Sequence, residues 1–222
     1  MSEKLPLTFD AAGLVPVVVQ DYLSGEIRML AYASVEAIHK TMETGRATFW
    51  SRSRGELWEK GQTSGNEIVV QRILVDCDAD ALVYLADPHG PSCHTDAPSC
   101  FFQVLAVGGL TQKAEQPQTT LARLEETLEA RKASTAAKSY TKSLLDGGAP
   151  AIGAKLREEA GELAEALDHE TIDRVASEAA DVVFHLMVGL QHRGVPWRDV
   201  LAKLEERASS GMSGHVEKAS RV

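Results

Sequence analysis

The sequence predicts two domains of different class. Residues 1–110 form an α+β domain that is mostly β, and residues 119–222 form an all-α helical bundle. Three observations predict this. Up to Val107 the chain offers short apolar, β-branched runs separated by turns, whereas from Thr120 onward its apolar residues recur at helical spacing. Between them, Gly108 to Thr120 is polar and without period, as a linker is. The three cysteines, Cys77, Cys93 and Cys100, all lie in the front part.

The elements follow in order. Leu14 to Gln20 reads as a strand, Asp21 to Gly25 as a turn and Ile27 to Tyr32 as the next strand. Ser34 to Thr44 reads as a helix capped by Ser34 and ended by Gly45. Ala47–Arg52, Ile68–Asp76 and Ala81–Ala86 read as further strands. Phe101–Val107 is the last, closed by Gly108-Gly109. Asp87 to Ser99 is rich in Pro, Gly, His, Ser and Cys and reads as loop. In the back half, Leu121 to Arg131 is a helix with Leu121, Leu124 and Leu128 on one face. A short helix from about Lys138 to Leu145 stops at Gly147-Gly148. Ile152 to His169 carries a stripe of Ile152, Leu156, Leu163 and Leu167, with Ala160 filling the gap. Asp173 to His192 carries Val175, Val182, Val183, Leu186 and Leu190. Pro196 opens a fifth helix.

Composition narrows the function. Of 222 residues, 25% are charged and 44% hydrophobic, the balance of a folded domain rather than a disordered chain. A net charge of −9 argues against a duplex nucleic-acid partner, whose phosphates need a basic surface. A small anionic nucleotide is compatible with it, because a few local cations suffice. No run approaches the ~18 apolar residues of a membrane helix, and residues 1–13 lack the pattern of a signal peptide. The expectation is a cytoplasmic protein with no membrane partner. An odd number of cysteines without an export signal argues against a disulfide framework.

Asp76-Cys77-Asp78-Ala79-Asp80 is the most informative stretch of the front half. Three carboxylates in five residues repel one another unless a cation sits among them. Strand alternation would point Asp76, Asp78 and Asp80 one way and Cys77 the other, offering oxygen to a magnesium-like ion and sulfur to zinc. The cysteine spacing is C-x15-C-x6-C, with His94 beside Cys93. Three thiolates leave a fourth tetrahedral position for water, the arrangement of a catalytic zinc. The plainer readings are a small buried cysteine and a solvated acidic loop; their coincidence favours metal chemistry. Trp50-Ser51-Arg52-Ser53-Arg54 alternates hydroxyl and guanidinium groups suited to phosphate, and Gly61-Gln62-Thr63-Ser64-Gly65-Asn66 is a glycine-bounded polar loop whose N–H groups could meet one.

These strings, with Met29-Leu30-Ala31-Tyr32, Leu57-Trp58-Glu59-Lys60-Gly61, Gly90-Pro91-Ser92-Cys93-His94-Thr95 and Ser99-Cys100-Phe101, resemble the phosphoribosyl-AMP cyclohydrolase family over about residues 14–107. The resemblance implies a homodimer in which Cys77, Cys93 and Cys100 hold zinc, one of them contributed across the interface. It implies magnesium at Asp76, Asp78 and Asp80. The implied reaction is hydrolytic opening of the purine six-membered ring at N1–C6; our reading is that zinc hydroxide attacks C6, with His94 as a candidate proton carrier.

The back half carries Glu158-Glu159-Ala160-Gly161-Glu162 on one helix and Glu178-Ala179-Ala180-Asp181 on the next. Residues three and four apart share a helical face, so antiparallel packing would turn both acidic sets into one pocket. Such crowding calls for divalent cations. Small residues among the carboxylates allow close approach, and His185 lies one turn beyond Asp181. Arg131, Lys138, Lys142 and Lys155 are candidate phosphate contacts; singly, each is an ordinary surface charge.

With Ser139-Tyr140-Thr141, Leu144-Leu145, Gly148 and Ile152, this text resembles phosphoribosyl-ATP pyrophosphatase, an all-α relative of MazG-type pyrophosphohydrolases, over about 120–208. The resemblance places Glu158, Glu159, Glu162, Glu178 and Asp181 at magnesium, with Glu159 and Glu162 as catalytic candidates. The two activities are consecutive steps of histidine biosynthesis, with phosphoribosyl-ATP and phosphoribosyl-AMP as substrates. The competing readings are a housekeeping nucleotide pyrophosphohydrolase and a zinc-stabilised interaction module.

Overall fold

The computed structural model describes residues 5–111, 118–133 and 139–219. The chain divides into two units, Met1–Thr119 and Thr120–Val222.

The first unit holds β1 (Val15–Asp21), β2 (Ile27–Ala33), α1 (Val35–Thr44), β3 (Thr48–Ser51), β4 (Glu56–Glu59), β5 (Ile68–Val75), β6 (Leu82–Pro88), β7 (Val104–Ala106) and β8 (Gly109–Thr111). The main sheet runs β2-β1-β6-β5. β1 and β6 pair in parallel at its centre, and the flanking pairs are antiparallel. Alternation along β1 buries Val15, Val17 and Val19, and along β6 it buries Leu82, Tyr84 and Ala86. These side chains meet Ala37 and Ile38 of α1 and Phe49 of β3 in one core. Each such aliphatic side chain contributes roughly 1.5–3 kcal/mol before chain entropy is subtracted.

Local chemistry closes the turns. The Asp21 carboxylate accepts from the N–H groups of Leu23 and Ser24, folding the turn that the sequence places there. Ser34 caps α1 by accepting from the Ala37 N–H, and Gly45 ends it in the left-handed region at φ 70°. Two details depart from the sequence reading. β4 was not foreseen as a strand; it pairs with β3, Phe49 facing Trp58. Phe101–Val107 is not one strand: only Val104–Ala106 is, and it turns at Val107-Gly108 into β8, inside the stretch read as linker. The remainder of that stretch, residues 112–117, lies outside the described residues.

The second unit is helical: α2 (Thr120–Ala133), α3 (Tyr140–His169), α4 (Ile172–Arg193) and α5 (Trp197–Ala219). α3 spans the two helices read from sequence. Gly148, with φ 65° and ψ −164°, breaks it where the glycine pair predicts a stop, and Pro150 cannot donate back across the break. Leu128, Leu144, Ile152, Met187 and Val188 form the core, with Leu121 and Leu124 packed against it. The predicted stripe of the third helix holds at Ile152 but not at Leu167, which is exposed; Ala166 is buried instead. At 3.6 residues per turn the face that buries Ile152 and Glu159 returns at Ala166, seven positions on, and passes Leu167 by. Thr171 caps α4, and Gly194 ends it. The N–H of Trp197 donates to Glu125 of α2 at 2.6 Å, which ties the start of α5 to the bundle.

Candidate metal centres and active sites

In the first unit, β5 ends at Val75, so Asp76 to Asp80 is a turn and the expected strand alternation does not operate. The three carboxylates nevertheless meet, with one oxygen from each of Asp76, Asp78 and Asp80 within 4.8 Å of the others. The turn gathers them. Asp76 Oδ1 accepts from the N–H groups of Asp80 (3.0 Å) and Ala81 (3.1 Å), and Ala79 takes a positive φ of 62°. These bonds, led by the Ala81 N–H, hold the Asp76 carboxyl below the usual range. The charge of Asp78 pushes Asp80 up. The arrangement is a crowded anionic cup that a divalent cation would relieve.

Cys77 sits exposed on this turn, its Sγ 4.0 Å from Asp78 Oδ1. Cys93 and Cys100 are elsewhere, on the loop after β6, and act directly on each other. Ser99 Oγ donates to Ile27 O (2.8 Å) and the Cys100 N–H donates to Arg28 O (2.9 Å), pinning that loop to β2. Arg28 also reaches Ser92 Oγ and Gly90 O, both at 3.3 Å. Cys93 is buried and its sulfur accepts from the Thr95 hydroxyl at 3.1 Å. Burial pushes the Cys93 thiol up, but the Thr95 hydroxyl and N–H, with Cys100 and the His94 N–H, together outweigh it and leave the thiol below its ordinary value. Cys100 is raised to about 11 by partial burial of its sulfur, reinforced by Cys93. His94 Nδ1 stands 3.8 Å from Cys93 Sγ. Among the described residues of one chain, the three cysteines do not form a group with donor atoms within 4.8 Å, as the aspartates do.

The substrate candidates divide. Trp50 and Ser51 lie on β3; Arg52, Ser53 and Arg54 form the turn to β4. Arg52 lies over the Tyr32 ring at 3.8 Å, and Arg54 pairs with Glu56 at 3.1 Å. Thr63, Ser64 and Gly65 are exposed on a turn closed by the Gly65 N–H to Gly61 O bond. Asn66 is half-buried. A cavity of about 480 Å³ between α1 and β5, lined by Ile38, Met42, Val70 and Leu82 among others, contains none of these residues.

In the second unit, oxygens of Glu159, Glu178 and Asp181 lie within 4.8 Å of one another, so α3 and α4 do bring their acidic faces together. Glu178 is 2% exposed. Its Oε1 meets Arg174 at 2.6 Å, while Oε2 is buried with no hydrogen-bond partner among the described residues. Such an orphaned carboxylate oxygen is what a cation would satisfy. Glu162 borders the group, and the charge of Glu178 pushes its carboxyl up. Glu158 stands at the rim, paired with Lys155 at 2.9 Å; Lys155 also meets Glu159 at 3.1 Å, which raises its pKa above the ordinary lysine value. Arg131 donates to Thr141 Oγ1 at 3.1 Å, and Lys142 reaches Asp146 at 3.9 Å. Lys138 lies outside the described residues.

His185 is buried under the carboxylates. Its Nδ1 is 2.8 Å from Asp181 O; a carbonyl only accepts, so Nδ1 carries the proton. Nε2 is therefore free to accept from the Tyr140 hydroxyl, also at 2.8 Å. Nδ1 stands 3.8 Å from Glu159 Oε1.

Comparison with known proteins matches the description "Phosphoribosyl-AMP cyclohydrolase" over residues 29–102 and "Phosphoribosyl-ATP pyrophosphohydrolase" over 121–208. Histidine biosynthesis bifunctional protein HisIE of Prochlorococcus marinus subsp. pastoris is 41% identical over 205 residues, covering 90% of this chain and 93% of the relative. The protein of that name from Deinococcus radiodurans is 40% identical over 222 residues, covering 98% and 99%. That from Photobacterium profundum is 42% identical over 196 residues, covering 88% and 92%. The chain belongs to the bifunctional histidine-biosynthesis family.

Its cyclohydrolase part contains the acidic turn and all three cysteines, and its pyrophosphohydrolase part contains the Glu159–Glu178–Asp181 group. In the cyclohydrolase part, sequence reasoning gave no role to Lys60 or Arg28. Lys60 is buried and donates to Asn66 O at 3.2 Å, and burial pulls its pKa down. In the pyrophosphohydrolase part it missed Tyr140 as the partner of His185. That partner lies 45 positions away, beyond any local spacing rule.

Proposed function

We propose that each half of this bifunctional enzyme works through its own metal centre. The C-terminal half converts phosphoribosyl-ATP to phosphoribosyl-AMP and pyrophosphate. The N-terminal half then opens the adenine ring of phosphoribosyl-AMP by hydrolysis. One observation carries the reading: each family match encloses its own group of three acid oxygens within 4.8 Å, Asp76–Asp78–Asp80 in front and Glu159–Glu178–Asp181 behind.

In the pyrophosphohydrolase half the donor set is all carboxylate, which suits magnesium. Glu159, Glu178 and Asp181 would hold it, with Glu162 and Glu158 at its edge. Magnesium, when bound, would neutralise triphosphate charge and orient the attacking water. The side chains do the rest. His185 fixes the carbonyl of Asp181 and stands beside Glu159. Lys155 partly offsets the crowding of Glu158 and Glu159 and is a candidate phosphate contact. Glu159 and Glu162 are the groups placed to take a proton from water. The charge of Glu178 pushes the Glu162 carboxyl up, a crowding that a bound cation would relieve.

In the cyclohydrolase half, sulfur donors suit zinc. Cys93 and Cys100 act on each other within one chain, Thr95 steadies the Cys93 sulfur, and Cys77 stands exposed on the acidic turn. An exposed Cys77 apart from the other two supports completion of the ligand set across a homodimer. Large apolar side chains uncovered in a single chain, Leu105, Val107 and Leu110 on the β7–β8 hairpin and Ile172 in the bundle, support such pairing. Zinc, when bound, would supply a water activated at neutral pH. His94, beside Cys93, is placed to carry a proton to the opening ring. Asp76, Asp78 and Asp80 would hold magnesium. Arg52, Arg54 and the Thr63–Asn66 turn would bind the phosphoribosyl group. A cytoplasmic setting fits this chemistry.

The deciding assay supplies phosphoribosyl-ATP to metal-loaded protein and follows both pyrophosphate and the ring-opened product. Cys93→Ser is expected to stop ring opening while the protein stays folded and still releases pyrophosphate. Absence of both products from the wild type would overturn the reading. A Cys93→Ser variant that unfolds would mark the zinc as structural.

A further inference from the structure

We infer that Lys60 is a positioning residue for ring opening: it clamps the Thr63–Asn66 turn to the cysteine loop and sets a buried positive charge against the sulfurs. The inference rests on the zinc reading above.

The geometry is a clamp around one residue, Asn66. Lys60 is only 7% exposed, and its Nζ donates to Asn66 O at 3.2 Å. The next residue, Gly61, has φ +89°, and a Cβ there would lie 2.6 Å from Asn66 C and O and from Glu67 Cα. On the other side, a Cβ on Gly90 would lie 2.6 Å from Asn66 Oδ1. Gly90 begins the segment that reaches Cys93 three residues later. A parallel link joins the His89 N–H to Glu67 O at 2.8 Å. Asn66 is thus held by Lys60 and Gly61 through its backbone, and it lies against Gly90 through its side chain. The turn offered to phosphate and the loop that presents Cys93 form one piece.

The charge has its own logic. A buried ammonium is costly unless an anion faces it. Burial works against the Lys60 charge and pulls its pKa down, while Cys100 and then Cys93 act in its favour. Two thiolates around one divalent cation cancel its charge, and a third makes the centre anionic, so a buried cation beside it stabilises the loaded state. A side chain that only filled space here would be replaced without loss by methionine, which is similar in length and carries no desolvation cost.

The test compares wild type, Lys60→Met, Lys60→Gln and Lys60→Arg. Zinc affinity is measured by competition with a chromophoric chelator, and ring opening is resolved into kcat and KM. Pyrophosphate release from the other half serves as the folding control. Lys60→Met is expected to keep pyrophosphate release, bind zinc roughly 10-fold more weakly and lose roughly 10-fold in kcat. Lys60→Arg, which keeps the charge, recovers most of the zinc affinity. Should Lys60→Met not fold, Lys60→Gln decides: it retains an N–H for Asn66 O, so weaker zinc binding with little change in KM supports the charge role. Wild-type zinc affinity and kcat in the folded uncharged variant would overturn the inference. A wild type that binds no zinc, or a Cys93→Ser variant that binds it normally, would instead sink the zinc reading itself.

Discussion

The hydroxyl of Tyr140, at the start of α3, lies 2.8 Å from Nε2 of His185 in the middle of α4. Because the Nδ1 proton of His185 is committed to Asp181 O, this bond fixes both ring nitrogens and one orientation of the imidazole beside Glu159. Tyr140→Phe removes only the oxygen and keeps the stacking on Phe184. The net value of such a bond is about 1 kcal/mol. Pyrophosphate release should therefore fall by roughly 5-fold, with ring opening unchanged. Steady-state kinetics on the two substrates checks this.

The orphaned Oε2 of Glu178 makes a sharper prediction. Glu178→Gln keeps the size and an acceptor for Arg174 but removes the charge that a cation would meet. It should lower pyrophosphate release by on the order of 100-fold. Magnesium should raise the melting temperature of the wild type and leave that of the variant unchanged. A variant that retains the magnesium-dependent shift would place the ion elsewhere.

Two glycines with similar backbone angles should behave differently. Gly55 has φ +66° with nothing near the site of a Cβ, whereas Gly61 has φ +89° with backbone atoms 2.6 Å away. Gly55→Ala carries the left-handed penalty alone, about 1–2 kcal/mol. Gly61→Ala adds displacement of Asn66, so its chemical-denaturation midpoint should fall further, and ring opening should fall with it.

Tyr84 supplies a pH prediction. It is fully buried beneath the sheet, its hydroxyl has no hydrogen-bond partner at ordinary distance among the described residues, and burial, against a smaller pull from the Thr41 side chain, pushes its pKa up to about 12. The folded value lies above the unfolded value of 10.0, so its contribution is fully present below pH 10 and is lost as pH rises toward 12. Two pH units correspond to about 2.7 kcal/mol. Tyr84→Phe should remove that part of the alkaline destabilisation. At neutral pH it should raise stability by about 1 kcal/mol by deleting the unsatisfied hydroxyl. Urea melts of both proteins at pH 8 and pH 11 measure both effects.

Features encoded locally could be read directly from the sequence. Ser34 and Gly45 bound α1, Gly148 marks the break in α3, and the E-x-x-D spacing puts Glu178 and Asp181 on one face of α4. What escaped depends on distant partners. β4 is short and charged at both ends, and it becomes a strand because Trp58 pairs with Phe49. The aspartates converge through a hydrogen-bonded turn rather than through pleat alternation, so the outcome was anticipated on mistaken grounds. Lys60 entered the sequence reading only as part of the Leu57–Gly61 string and was given no role, because burial beside two thiols is a property of the folded loop and not of its neighbours in sequence.

The self-closed turn at Asp76 has a last consequence. One of its oxygens already secures the amides of Asp80 and Ala81, so the acidic cup is shaped before any ion arrives. Ion exchange there need not wait on chain rearrangement. On the proposed magnesium reading, damage at Asp76 would disturb architecture and occupancy together, whereas damage at Asp78 would reduce occupancy and leave the turn standing.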